Sequence, residues 1–467
     1  MERGWTKSML VAMAACASTS IASPTEFKCA HDSAPMQAHL AYSGDHGMTV
    51  SWNTYSKLDH PYVRYGRHPN ALVQWAASDV SVTYPTSTTY NNHVKITGLE
   101  PNTMYYYQPQ CGNSTQIYTM KTARVPGDKT PFTIAVGGDL GLMGPEGLTT
   151  TTGPNGGNAA LGPNDNNTIQ SLQSMKSEWE FYWHPGDIAY ADYWLKEEAQ
   201  GFLPNYTVSD GPALYESLLN QYYDEMTALT ADRPYMVGPG NHDSNCKHLY
   251  SFSPCKIFPS SLIMYPGDNG GTTDNGVAYN VSICPMGQTN FTGFRNHYRM
   301  PSDISGGVGN FWYSFDHGMT HFIQLNTETD IGNGFIGPDE PGSSEGMNSG
   351  PFGSYPNEQI DWLKKDLESV DRKKTPWVIA AVHRPWYVSA KNSSSTVCTE
   401  CKDVFEPLLV KHSVDLVIQA HTHFYERNQP LNDYVVDPAG LNNPTARGTL
   451  PPPPLATTMD WTTMFHL

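Results

Sequence analysis

The stretch HPGDIAYADYW, residues 184–194, sets a carboxylate and a phenol, Asp187 and Tyr190, three positions apart just after an aromatic run. That run, Phe181-Tyr182-Trp183, reads as a buried strand, and Pro185-Gly186 ends it in a turn. Four other apolar runs close in a similar way. Phe132–Val136 leads through Gly137-Gly138 to Asp139, with Gly141 two positions on. Tyr235–Val237 leads to Gly240-Asn241-His242-Asp243. Trp377–Val382 ends at His383, and Val414–Ile418 runs into Gln419-Ala420-His421-Thr422-His423. In α/β sheets, ligands bind outside the carboxyl ends of the strands. Five such ends meeting at the rim of one sheet would pool oxygens from Asp139, Asp187 and Tyr190, the amide oxygen of Asn241, and the imidazoles of His383, His421 and His423. That donor set suits metal ions. Each piece alone is weak: Asp-x-Gly is usually a turn, and a histidine after a strand is usually a hydrogen-bonded core residue. Their common strand-end position carries the reading.

The elements that must hold these groups fall into two parts. Residues 35–122 read as all-β: Met48, Val50 and Trp52 alternate, as do Val94 and Ile96, and Tyr105 and Tyr107. With Trp52 in the core and a tyrosine near the turn at 98–103, this part resembles a fibronectin type III sandwich. Its aromatics read as core packing, with no catalytic cluster. Residues 123–131 read as a linker. From 132 to 446 the apolar runs alternate with helical faces: Ile169, Leu172 and Met175; Leu214, Leu218 and Tyr222; Ile360, Leu363, Leu367 and Val370. Strands alternating with helices predict an α/β domain of sheets flanked by helices. Two long Gly-rich stretches, 141–168 and 333–356, are loops of a length that is usually functional or mobile.

The chain has 467 residues and a formal net charge of -17. That balance argues against nucleic-acid binding, and it means that any anionic substrate needs local positive charge. The first 22 residues carry Arg3 and Lys7, then the apolar run Met9–Ala17, then small residues. This is the pattern of a secretory signal peptide with cleavage after Ala17 or Ala22; the run is too short to span a membrane. Sequons at Asn113, Asn166, Asn205, Asn280, Asn290 and Asn392 fit a secreted glycoprotein. Seven cysteines lie beyond the signal, which leaves one without a partner. Cys398-x-x-Cys401 reads as a local disulfide in preference to zinc, since no second such pair exists.

Asp139-x-Gly141, Gly186-Asp187-x-x-Tyr190, Gly240-Asn241-His242-Asp243, His383 after an apolar strand and His421-x-His423 together resemble the calcineurin-like metallophosphoesterase superfamily. Tyr190 narrows the resemblance to the purple acid phosphatases. It spans about residues 35–440, the β-sandwich included, as in the larger plant and fungal members. The resemblance implies a ferric ion held by Asp139, Tyr190 and His423, and a divalent zinc, manganese or iron held by Asn241, His383 and His421. Asp187 would bridge the two. It implies a metal-bound hydroxide as nucleophile and His242, protonated at acid pH, as general acid to the leaving group; a supporting role is the alternative for His242. Asp243 would orient His242 or cap the following segment. Arg384 and Tyr387 would touch substrate or serve the fold. The activity implied is secreted acid phosphatase on small phosphate monoesters, phytate among them. A phosphodiesterase or nucleotide pyrophosphatase on the same site, and a non-catalytic extracellular binding protein, are the alternatives.

Three departures stand out. The family has glycine before His-x-His where this chain has Ala420. Larger members carry histidines about ten residues past His383, where this chain has AKNSSSTVC, 390–398. The chain ends in an atypical Pro-rich tail, residues 447–467. Codons for Gly-His-Tyr-Asp-Gly-Leu-Asp-Tyr-His, read one base later, encode residues 456–464. A shifted frame or mis-called intron from about residue 447 is therefore expected, against the alternative of a natural, disordered Pro-rich tail.

Overall fold

The computed structural model of the chain describes residues 29–142, 165–194, 205–245, 285, 287–330, 352–355, 357–389, 397–436 and 463–466. The sequons Asn280 and Asn392, and three of the seven cysteines beyond the expected signal (Cys246, Cys255 and Cys284), lie outside them. Asn113, Asn166 and Asn205 are exposed.

The N-terminal part is an antiparallel sandwich of eight strands: β1 (Met36–Tyr42), β2 (Met48–Thr54), β3 (Tyr62–Gly66), β4 (Gln74–Ala77), β5 (Ser81–Val82), β6 (Tyr90–Ile96), β7 (Met104–Pro109) and β8 (Tyr118–Lys121). One sheet runs β1-β2-β6-β5 and the other β4-β3-β7-β8. Trp52 is fully buried between them. The Glu100 N–H donates to the Tyr105 hydroxyl at 3.0 Å, which ties the corner before β7 to the strand. Cys29–Cys111 closes the far end.

Alternation along β2 predicts one buried face, yet every residue of β2 is buried, Thr49, Ser51 and Asn53 included. The second face is covered by the following domain. Gln37 donates to Asn220 and Asp224 of a long helix, Thr230 of the same helix donates to the Ala38 carbonyl at 3.0 Å, and Leu40 bridges Pro234. Three buried histidines lie in this seam. The His39 ring stacks on His297 at 4.4 Å, and His297 stacks on Tyr223 at 3.5 Å. His93 contacts the Asn296 carbonyl at 2.9 Å. A second tie is Glu180, which accepts from Lys121, Arg124 and His317. Those hydrogen bonds outweigh burial and hold its carboxyl well below the usual range.

The second domain packs two sheets face to face. The first holds β9 (Thr133–Val136), β10 (Tyr182–Pro185) and β11 (Tyr235–Gly238), all parallel. The second holds β12 (Tyr313–His317), β13 (Thr320–Gln324), β14 (Trp377–Val382) and β15 (Leu416–Gln419); β12 is antiparallel and the rest are parallel. Phe181 and Trp183 meet Phe322 edge-on at 5.3 and 5.4 Å, and the Trp183 indole donates to Gln324 at 2.8 Å. Helices α1 (Thr168–Ser174), α2 (Gly211–Thr230), α3 (Thr292–His297), α4 (Ser302–Ser305), α5 (Glu358–Ser369) and α6 (Thr399–Lys411) accompany the sheets. A two-stranded hairpin follows, β16 (Leu431–Asn432) and β17 (Val435–Val436). Thr463–His466 then adds β18, antiparallel, to the free edge of β9, a strand the sequence did not announce. Cys398–Cys401 is a disulfide at the start of α6, as expected in preference to a zinc pair. No helix among the described residues is long and apolar enough to cross a membrane.

Candidate metal centre

The five strand ends do converge, but not on one sheet. Asp139, Asp187, Tyr190 and Asn241 follow β9, β10 and β11 of the first sheet; His383, His421 and His423 follow β14 and β15 of the second. The centre therefore lies across the common edge of two sheets. A parallel strand buried on both faces reads the same in either sheet, so sequence could not divide them.

Tight turns bring the groups together. Asp139, Asp187, Tyr190, His421 and His423 all have left-handed backbones, with φ of 58°, 53°, 50°, 73° and 37°. Such angles are uncommon for side-chain-bearing residues and concentrate where a site demands them. A Cβ on Gly240 would stand 2.3 Å from the Asp187 nitrogen, so only glycine lets the β10 and β11 loops approach. A Cβ on Gly138 would stand 2.7 Å from that of Ala420. The methyl before His-x-His is accommodated because the residue facing it is glycine.

Two clusters result, and Asp187 belongs to both. In the first, the Tyr190 hydroxyl lies 3.0 Å from Asp139 Oδ1, 3.1 Å from Asp187 Oδ2 and against His423 Nε2. In the second, His383 Nε2 lies 2.8 Å from Asn241 Oδ1, 3.0 Å from Asp187 Oδ2 and 3.3 Å from His421 Nδ1. Ligand atoms of Asp187, His383 and His421 all fall within 4.8 Å of one another. His383 Nδ1 faces the Pro185 carbonyl at 3.1 Å, which places the proton there and turns the Nε2 lone pair to the site. One phenolic hydrogen cannot serve three acceptors, and lone pairs on nitrogen and oxygen cannot satisfy one another. A cation in each cluster resolves both conflicts, so the residues fit a pair of metal ions. Burial, with the Asp139 and Asp187 carboxylates, pushes the Tyr190 phenol well above its ordinary value near 10. Only a highly charged cation in contact would hold it ionised. Asp187 and His383 are fully buried, whereas the His423 side chain is 45% exposed, so the centre opens on the His-x-His side.

His242 lies beside both clusters. Its N–H donates to Asp187 Oδ1 at 2.6 Å, and its Nε2 is 4.0 Å from Asp187 Oδ2. Its Nδ1 meets the Asp192 carboxylate at 2.8 Å. Tyr190 and Tyr193 pack on the ring at 4.4 and 4.6 Å. Sequence reasoning missed Asp192 and Tyr193; the signal was there in the continuation Tyr190-Ala191-Asp192-Tyr193. Asp243, expected to orient His242 or cap the next segment, instead accepts from the Gly240, Asp187 and Ile188 N–H groups at 2.7, 3.1 and 2.9 Å and braces the two loops. Arg384 is buried with both Glu328 oxygens at 2.9 and 3.0 Å from its Nε. Tyr387 is bonded to Glu406. Residues 390–396 lie outside the described residues.

Comparison with known proteins follows the same division. The family described as the N-terminal domain of purple acid phosphatase matches residues 35–122, and that of the calcineurin-like phosphoesterases matches residues 132–425. An acid phosphatase A of Cryphonectria parasitica is 38% identical over 88% of this chain and 79% of its own length. An acid phosphatase of Aspergillus ficuum is 32% identical over 85% of this chain and 72% of its own. Among solved structures, a purple acid phosphatase from yellow lupin (Lupinus luteus) seeds shares the fold at a TM-score of 0.55 and 20% identity, covering 86% of this chain and 61% of the lupin chain.

Proposed function

The chain belongs to the purple acid phosphatases of the larger, sandwich-bearing type, and from that premise we propose that it hydrolyses phosphate monoesters at acid pH on a dinuclear metal centre. The observation that carries this is the pair of donor clusters sharing Asp187. Asp139, Tyr190 and His423 would hold a ferric ion, which favours anionic oxygen, and Asn241, His383 and His421 would hold a divalent partner, zinc, manganese or iron, with Asp187 supplying a carboxylate to both. Such a pair, when bound, would supply the positive charge that an acidic chain lacks and an activated water at acid pH.

The protein's own groups do the rest. His242 presents Nε2 toward the centre while Asp192 holds Nδ1, so a proton on Nε2 is aimed at the departing ester oxygen. Tyr190 and Tyr193 fix the plane of that ring. Asp243 and the crowded glycines keep the loops from relaxing. The Arg384–Glu328 pair is too deeply buried to meet a substrate. Secretion and glycosylation are part of the same reading, supported by the Cys29–Cys111 disulfide and the exposed Asn113, Asn166 and Asn205.

Parallel assays near pH 5 test the reading. Nitrophenyl phosphate should turn over at least about tenfold faster, as kcat/KM, than bis-nitrophenyl phosphate. A chelator strong enough to remove the metals should abolish both activities. Preference for the diester would make the protein a phosphodiesterase, and activity surviving metal removal would refute the dinuclear reading.

A further inference from the structure

A chain of hydrogen bonds leads from the N-terminal sandwich to the two loops that enclose His242. It starts between β5 and β6, where the Tyr84 hydroxyl donates to Glu216 Oε2 at 2.9 Å and the Thr86 hydroxyl to Glu216 Oε1 at 2.8 Å. Glu216 belongs to α2, and its Oε1 also accepts from the Gln288 side-chain amide at 3.1 Å. Gln288 in turn holds Asn245 twice. Its Oε1 accepts from Asn245 Nδ2 at 2.8 Å, and its carbonyl accepts the Asn245 N–H at 3.0 Å. Asn245 Oδ1 then accepts from the Trp194 indole at 3.2 Å.

That last bond joins the two loops of the centre. Asn245 closes the turn that starts at Gly240 and carries Asn241 and His242. Trp194 ends the loop that carries Asp187 and Tyr190, Asp192 and Tyr193, the last three of which surround the His242 ring. The bond therefore sets the ring, on one loop, against its neighbours on the other. Asn245, Gln288 and Trp194 are fully buried, and Glu216 nearly so. Gln288 uses its remaining amide hydrogen on the Pro212 carbonyl at 2.7 Å. An apolar contact would tolerate a slide of the loops, whereas buried amides with every partner fixed do not. Two glycines mark how tight the path is. A Cβ on Gly287 would stand 2.9 Å from Thr86 Oγ1, and one on Gly211, the first residue of α2, would stand 2.2 Å from the Trp194 ring. A general acid must stay within hydrogen-bond reach of the departing oxygen, and a displacement of about 1 Å can cost about 10²-fold.

We propose that Glu216, Gln288 and Asn245 are positioning residues that carry the packing of the sandwich to His242, so that the N-terminal domain serves catalysis as well as folding. The proposal rests on the phosphatase reading above, and it gives a function to a domain in which the sequence offered only core packing.

The test uses the purified full chain with its metals, as wild type and as Gln288→Leu, Glu216→Ala, Glu216→Gln and the double variant Tyr84→Phe with Thr86→Val. Nitrophenolate departs readily without a proton and an alkoxide does not, so nitrophenyl phosphate and glycerol 2-phosphate separate loss of the acid from loss of the metals. In Gln288→Leu and Glu216→Ala, kcat for glycerol 2-phosphate should fall about tenfold further than kcat for nitrophenyl phosphate, with metal content and calorimetric affinity for inorganic phosphate unchanged. Glu216→Gln should keep the wild-type ratio, because its oxygen still accepts from Gln288 and Thr86 and its NH2 can donate to the Tyr84 hydroxyl. The double variant removes two hydroxyls from the sandwich and leaves the second domain intact; its ratio should shift about threefold in the same direction. Labelling of His242 by diethyl pyrocarbonate, read by mass spectrometry, reports the ring's confinement without turnover. It should speed up about fivefold in each disruptive variant, while His321, buried between Asp316 and Asp366, keeps its wild-type rate. An equal fall on both substrates overturns the proposal. So does a lowered unfolding midpoint with the ratio unchanged, or labelling that rises at His242 and His321 alike. Faster labelling of His242 alone, in a protein that hydrolyses neither substrate, would uphold the positioning path and refute the phosphatase reading.

Discussion

Replacing Asp187 by asparagine is expected to lower kcat/KM for a phosphate monoester by about 10³-fold or more, equivalent to ~4 kcal/mol, while the chain stays folded. The Asp187 carboxylate touches side-chain ligand atoms of both clusters, Tyr190 at 3.1 Å and His383 at 3.0 Å. Its other oxygen accepts the His242 N–H at 2.6 Å. Asparagine keeps the shape and can still accept that N–H, so the turn survives. It removes the buried negative charge that two adjacent cations need between them. Burial raises this carboxyl, yet the His383 and His242 rings beside it hold it below the usual range. The expected signature is a fall in kcat together with loss of bound metal, read by steady-state kinetics and elemental analysis on the same sample. A variant that keeps both metals and loses less than about tenfold in rate would show that Asp187 does not join the two sites.

Acid is expected to weaken the fold through the seam between the two domains. His39 is buried against the Gln37 and His297 carbonyls at 3.0 and 2.9 Å. Burial, helped by Arg299, overcomes these acceptors and lowers its pKa to about 4. His93 and His297 are lowered well below their ordinary value by burial, then by Arg299 and by the neighbouring histidines. The other polar groups facing them are Ser51, Asn91 and the Asn296 carbonyl, with Tyr223 stacked on His297 and Tyr298 edge-on to His39; among the described residues no carboxylate is bonded to any of the three. The sign follows. A histidine whose folded pKa lies below its unfolded value binds more protons when unfolded, so stability is full above about pH 6.5 and is lost as pH falls toward 4. His39 alone contributes a loss of about 3 kcal/mol across that window. Denaturant midpoints measured from pH 7.5 to 4.5 should fall steeply. His297→Phe, which keeps the stack on Tyr223 but cannot take a proton, should flatten the dependence. An unchanged slope in that variant would remove the seam from the account. A flattened slope would mean that the lower pH limit is set by inter-domain packing rather than by the metal ligands.

How much of this was legible beforehand depends on range. The strand-end residues were readable because each rides on a run of buried apolar residues, and a run such as Trp377–Val382 becomes β14 with little shift. The helical faces around Leu172, Tyr222 and Leu363 were readable for the same reason. What escaped depends on contacts between distant segments. Tyr313–His317 mixes aromatic and charged residues and announced itself as no particular element, yet it pairs with β13. Helix α6 hides behind Pro407 and its acidic residues. His39, His93 and His297 belong to three separate stretches, and nothing local marks them as neighbours. Glu180 sits just before β10 and looks like a surface residue until Lys121, Arg124 and His317 close around it. The split of the ligands between two sheets could not be read, because strand order is a property of pairing rather than of composition.

The measurement closest to the central claim is elemental analysis of the purified protein combined with its visible spectrum, repeated on Tyr190→Phe. The account requires two metal ions per chain, one of them iron, and a visible absorption band that vanishes in the variant while the second metal remains. Fewer than two metals in active protein, or a band that persists without the Tyr190 hydroxyl, would contradict it.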